Sequence, residues 1–180
     1  MSRVILNAKV NTSGIEKLNT SQKFFIASSH QSMFETFAYN YFIPNGFFIL
    51  KKELMNIPLF GLYLKKLNCV SIDRGKTTKE NLNFSDKVIN NINNGKTLII
   101  FPQGTRVPHN ERVPIKKGVR RIYENLKISC LPIKLNTGKV WPKNSFLKYP
   151  GEINFIFKDI IEPNLTGDDF IKALEFALYE

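Results

Sequence analysis

The sequence predicts an α/β fold: a single domain over residues 1–180 with a mixed, mostly parallel sheet flanked by helices. Three observations lead there. Short runs of β-branched and aromatic residues alternate with helix-compatible stretches. Turn-forming residues stand at several of the junctions between them. A length of 180 residues with 43% hydrophobic side chains suits one sizeable core and carries no mark of global disorder.

Taken in order, the first strand is expected over 4–10, where Val, Ile and Leu cluster, and the second over the Phe-Phe-Ile-Ala-Ser run at 24–28. A helix over 33–42 follows Ser32, and Pro44-Asn45-Gly46 turns the chain into a strand at 47–50. A helix over 53–67, a strand at 70–73 and a helix over 79–92 come next. Asn93-Asn94-Gly95 marks a turn before the strand 97–101. The helix 117–126 leads to strands at 128–134 and 153–157, and Gly167-Asp168-Asp169 starts a last helix over 168–178. No internal repeat, linker or low-complexity block interrupts this series.

A formal charge of +11 and a pI near 9.7 attract anionic partners, among them nucleic acid, anionic lipid and phosphorylated metabolites. The positive residues are scattered and no zinc-finger or aromatic RNA-binding signature is present, so nucleic acid is not the expected partner. Cys69 and Cys130 adjoin apolar segments and are expected as buried, reduced thiols. With the two histidines also lacking ligand spacing, no metal is expected. The longest apolar runs fall far short of the ~20 residues of a spanning helix, and no export signal is expected.

His30 is the candidate base. A lone histidine is ordinarily a surface or satisfied core residue, but a base needs its second nitrogen held by an acceptor, and Glu35 lies five residues on. Five residues of helix rotate a side chain by roughly 140°, so His30 must precede the helix and Glu35 must lie in its first turn. Ser32-Met33-Phe34-Glu35 independently matches a capping box, which also offers Glu35 a purely structural role on the Ser32 N–H. A carboxylate accepts several hydrogen bonds, so the two roles are compatible.

Gly104-Thr105-Arg106 follows the strand at 97–101 and Pro102, and together they make a candidate phosphate loop: backbone approach, a hydroxyl and a planar guanidinium fork. Asp73-Arg74 after Val70-Ser71-Ile72 is a weaker candidate of the same kind, since an exposed ion pair also explains it. Gly75-Lys76-Thr77 and Gly95-Lys96-Thr97 imitate the end of a nucleotide-binding P-loop, but Val70 and Asn90 stand where that motif needs glycine. One base with a carboxylate and two arginines suited to phosphate are the parts of an acyl transfer onto a phosphate-bearing alcohol.

Together the segments resemble the phospholipid/glycerol acyltransferase family from about residue 14 to 157, and within it the bacterial enzymes that acylate 1-acyl-sn-glycerol-3-phosphate. The first motif reads Ser29-His30-Gln31-Ser32 with Glu35. The second reads Lys51-Lys52-Glu53-Leu54, Pro58-Leu59-Phe60-Gly61 and Ile72-Asp73-Arg74. The third is Phe101-Pro102-Gln103-Gly104-Thr105-Arg106 and the fourth Leu131-Pro132-Ile133. Glu35 stands where the family commonly has Asp, and Gln103 where it usually has Glu, which bears on the choice of acceptor. Many relatives carry an N-terminal membrane helix, so the chain is expected to be a peripheral form or a fragment.

The resemblance implies transfer of a fatty acyl group from acyl-CoA or acyl-carrier protein to lysophosphatidic acid, with His30 as base and Glu35 fixing its tautomer. It implies Arg106, Thr105 and Gly104 on the acceptor phosphate, Arg74 and Lys52 assisting, and Gln103 at the acceptor site. No cofactor beyond the acyl donor is implied. Backbone N–H groups near the helix start beyond His30 are the expected oxyanion donors. The expected setting is the cytoplasmic side of the membrane, on an anionic surface. An apolar face from 34–42 and 59–64 with Lys65-Lys66 would touch it, although most of those residues are expected in the core. The rivals are a related O-acyltransferase acting on another lysolipid and a non-catalytic basic protein that binds membrane or nucleic acid.

Overall fold

The computed structural model describes residues 7–72 and 84–180. In chain order the strands are β1 (Ala8–Ser13), β2 (Phe24–Ser28), β3 (Gly46–Lys51), β4 (Val70–Ile72), β5 (Thr97–Ile100), β6 (Ser129–Leu135) and β7 (Gly151–Phe157). The helices are α1 (Phe34–Phe42), α2 (Phe60–Lys66), α3 (Phe84–Asn93), α4 (Lys117–Leu126), α5 (Thr137–Val140) and α6 (Gly167–Tyr179). The fold is α/β, with mostly parallel strands and flanking helices, and two compact units divide it: Met1–Ala38 with Phe101–Glu180, and Tyr39–Ile100.

In the first unit β1 pairs with β7, β7 with β6 and β6 with β2, and only the β6–β7 pairing is antiparallel. Phe25, Ile26 and Ala27 of β2 and Cys130, Leu131 and Ile133 of β6 are fully buried, the near-continuous apolar pattern of strands covered on both faces. The rings of Tyr123 (α4) and Phe170 (α6) stack at 3.8 Å, and Phe25 meets Phe170 at 6.4 Å. Each such aromatic contributes about 1.5–3 kcal/mol on burial. Thr166 caps α6 by accepting from the Asp169 N–H at 3.2 Å. Beside it, a Cβ on Gly167 would come within 2.2 Å of the Arg120 and Glu124 side chains.

In the second unit β3 lies between β5 and β4, all parallel. The helix expected over 53–67 is broken: a 3₁₀ turn covers Lys52–Asn56 and α2 begins only at Phe60. Pro58 bars a continuous helix, and Leu59 takes φ +62°, outside the helical region. Gly61 then passes so close to the Met55 carbonyl that a Cβ would sit 2.1 Å from its oxygen. Leu59 and Leu62 face outward beside exposed Lys65 and Lys66, while Gly61 and Leu64 are buried. On α1, Tyr39 is buried whereas Phe37 and Tyr41 are exposed. Cys130 is buried as expected, but Cys69 is only half-buried, its sulfur accepting from the Phe48 N–H at 3.5 Å. β1 runs to Ser13, three residues past the expected end, and residues 4–6, 73 and 79–83 of the expected elements lie outside the described residues.

Candidate active site

The site forms where β2 and β6 end on the same side of the first unit. The strands pair in parallel with Ser28 opposite Ile133, and the Ser29 N–H still reaches the Ile133 carbonyl at 3.0 Å. His30 follows, ahead of α1, with its ring stacked 3.8 Å from that of Phe101 and 18% of its side chain exposed. Glu35 lies in the first turn of α1 and is fully buried. Its Oε2 pairs with His30 Nδ1.

The cap and the His–carboxylate pair coexist. Glu35 Oε1 accepts from the Ser32 N–H at 2.7 Å, the Gln31 N–H at 3.0 Å and the Thr137 hydroxyl, while Ser32 Oγ accepts from the Phe34 N–H at 3.1 Å. Four donors therefore converge on one buried carboxylate, the degree of satisfaction a buried charge demands. An Nδ1–H given to Glu35 leaves Nε2 with its lone pair, the tautomer a general base requires. The same geometry narrows one expectation. The Gln31, Ser32 and Phe34 N–H groups are committed within the cap, so these three are not available as oxyanion donors.

Two residues that sequence reasoning gave no role hold this arrangement. Gln31 donates from Nε2 to the Leu135 carbonyl at 2.9 Å and accepts from the Gly138 N–H at 3.0 Å, stitching the His30 segment to the end of β6. Gly138 suits that approach, because a Cβ there would stand 3.1 Å from Gln31 Cβ. Thr137, at the start of α5, supplies its hydroxyl to Glu35 from 102 positions along the chain. Nothing near Thr137 in the sequence marks it, whereas Gln31 sits inside the first motif.

The phosphate-loop candidate is tied to the same point. The Val107 N–H donates to the His30 carbonyl at 2.7 Å, and Gly104 adopts φ +70° in the turn closed by its N–H on the Phe101 carbonyl at 2.9 Å. Thr105 is exposed and Arg106 half-exposed, with the Arg106 carbonyl accepting from Lys143 Nζ at 2.9 Å. Gln103 is 2% exposed and its Oε1 has no partner among the described residues. It lines a cavity of about 300 Å³ with Ser29, His30, His109, Arg112 and Lys134. Burial, with Lys139 and Lys134 nearby, lowers the pKa of His109 from its ordinary value. Lys52 lies in the second unit, exposed at the start of the 3₁₀ turn, and Arg74 lies outside the described residues. Among the described residues no three His, Cys, Asp or Glu side chains cluster as a metal ion would need.

The Acyltransferase family model matches residues 9–136, a span that includes all four motifs. The chain belongs to the acyltransferase family. It is 31% identical over 174 residues to a 1-acyl-sn-glycerol-3-phosphate acyltransferase of Pseudomonas aeruginosa, covering 97% of this chain and 67% of that protein. A Saccharomyces cerevisiae protein of the same name is 30% identical over 181 residues, with 97% of this chain and 58% of the relative covered. The chain thus spans about two thirds or less of these relatives' lengths. The crystal structure of the 1-acyl-sn-glycerophosphate (LPA) acyltransferase PlsC from Thermotoga maritima is similar at a TM-score of 0.79 and 25% identity, over 96% of this chain and 70% of that one. This acyltransferase chain keeps its base candidate, carboxylate and Gly-Thr-Arg loop within a single one of its two units.

Proposed function

We propose that this acyltransferase moves a fatty acyl group from a thioester, on coenzyme A or acyl-carrier protein, to the free hydroxyl of 1-acyl-sn-glycerol-3-phosphate, giving phosphatidic acid. The observation that carries the reading is the His30 Nδ1–Glu35 Oε2 pair, anchored by the Val107–His30 hydrogen bond beside the Gly104–Arg106 loop. His30 Nε2 takes the hydroxyl proton as the oxygen attacks the thioester carbonyl carbon. The C–S bond then breaks, and the imidazolium returns its proton to the departing thiolate. Glu35 holds the tautomer and stabilises the cation that forms between these steps. Arg106, with Thr105 and Gly104, fixes the acceptor phosphate.

The reaction belongs on a membrane surface, because the acceptor's acyl chain resides there. Among the described residues no helix is long and apolar enough to cross a bilayer. Peripheral attachment through positive charge to anionic lipid on the cytoplasmic face fits the +11 charge, and the two free thiols fit a reducing compartment. A second reading keeps the chemistry and changes the acceptor. Gln103 Oε1 would accept a hydrogen bond from a lysolipid whose headgroup carries a donor. Competition among lysophospholipids in a phosphatidate-forming assay separates the two. Preference for lysophosphatidate supports the first reading, and turnover dominated by a donor-bearing headgroup overturns it.

A further inference from the structure

Among the described residues, the most exposed large apolar side chain is not on the faces that the sequence marked for the membrane. In the segment that joins α5 to β7, Phe146 is 97% exposed, Leu147 63% and Tyr149 48%. The segment is braced. Lys148 Nζ donates to the carbonyls of Ser145, Phe146 and Leu147, and its ammonium lies 5.0 Å over the Trp141 ring. Ser145 Oγ both donates to the Leu147 carbonyl and accepts from the Leu147 N–H. The Tyr149 N–H closes the base on the Val140 carbonyl at 2.9 Å. The tip therefore presents bare hydrocarbon while its carbonyls are already hydrogen-bonded, which removes much of the penalty for placing a turn in a bilayer interface.

Location and charge identify the occupant. β7 runs antiparallel to β6, with Leu135 opposite Phe155, so the segment between Val140 and Gly151 leaves and returns at the sheet end that carries His30. Lys143 ties this segment to the Arg106 carbonyl, and Lys139 stands exposed at its base. Trp141 and Tyr149 flank the tip as amphipathic rings suited to the headgroup layer. We infer that residues 141–150 form an interfacial wedge that inserts Phe146 and Leu147 into an anionic bilayer and sets the His30 end of the sheet against it, an inference that rests on the acyltransferase reading for its purpose but not for its test.

Trp141 is the chain's single tryptophan, so native fluorescence reports on this segment directly. The experiment compares wild type with the double variant Phe146→Ser/Leu147→Ser, whose changes lie on exposed side chains. Vesicles of pure phosphatidylcholine and of phosphatidylcholine with phosphatidylglycerol are titrated in parallel. The expected results are a blue shift of wild-type emission, quenching by brominated acyl chains, and vesicle affinity reduced roughly 10–100-fold in the variant. Turnover of a short-chain lysophosphatidate below its critical micelle concentration should be equal in the two proteins. Equal vesicle binding by wild type and variant, or absence of binding by wild type, overturns the wedge. A change in oligomeric state with vesicle binding intact overturns it in favour of a second copy as the occupant. If wild type binds vesicles through the tip yet acylates no lysolipid, the wedge stands and the enzymatic reading falls.

Discussion

Replacing Glu35 with Gln preserves volume and changes only what the buried group offers its neighbours. In the native site four donors point at the carboxylate: the Ser32 and Gln31 N–H groups, the Thr137 hydroxyl and His30 Nδ1. A glutamine oxygen can serve those facing Oε1, but its NH₂ would then face His30 Nδ1. The imidazole must turn that nitrogen into an acceptor and carry its proton on Nε2, the atom that should take the substrate's. General-base catalysis contributes 10²–10⁴-fold, so kcat should fall by about that much while KM for both substrates changes little. Loss of a charge-assisted bond, about 1.5–3 kcal/mol, should lower Tm by roughly 3–12 °C at 2–4 °C per kcal/mol, leaving the protein folded at assay temperature. Glu35→Asp retains the charge and should exceed Glu35→Gln by at least about tenfold. Steady-state kinetics with a thermal melt of each variant gives the answer. Glu35→Gln with more than about a tenth of wild-type kcat would refute the tautomer argument, whatever its Tm.

Arg106→Ala should raise KM for the lysophosphatidate acceptor far more than for the acyl donor, and Arg106→Lys should restore little, because a point charge does not replace a two-pronged fork. Equal effects on the two substrates would move Arg106 out of the phosphate site. Burial pushes the Cys69 thiol up to about 11, with the Phe48 N–H and Lys96 only partly opposing. At pH 8 about one molecule in a thousand is then thiolate, so iodoacetamide should label native protein roughly a hundredfold more slowly than unfolded protein. The folded pKa lies above the unfolded one, so the unfolded chain ionises first and this cysteine should erode stability as pH rises from about 9 to 11. A Cys69→Ala variant with the same loss over that window would show that the thiol is not responsible.

The order of strands and helices was legible because it depends on local signals: β-branched runs, turn residues and a capping box. β2 and α4 occupy the expected residues. The break before α2 was less legible, since helical periodicity continues through Pro58 and only the proline signals against it. At the site, the spacing of His30 and Glu35 sufficed to place one before a helix and the other in its first turn. Thr137 was invisible because its contact with Glu35 arises from the parallel pairing of β2 and β6, a long-range event with no trace in neighbouring residues. The Phe146 tip escaped notice for the opposite reason. Phe-Leu-Lys-Tyr reads as an ordinary fragment of strand or core, and only the fold shows it projecting outward.

The proposed mechanism has His30 Nε2 take the proton of a lysolipid hydroxyl during transfer from a thioester. Its most direct test is the single-turnover rate of phosphatidate formation by His30→Ala beside wild type, with acyl-CoA and acyl-carrier protein each offered as donor and circular dichroism confirming the fold. Wild type should form phosphatidate with at least one donor, and the variant should be slower by about 10²–10⁴-fold with near-native ellipticity. No phosphatidate from wild type, or a folded variant retaining more than about a tenth of the wild-type rate, would contradict it.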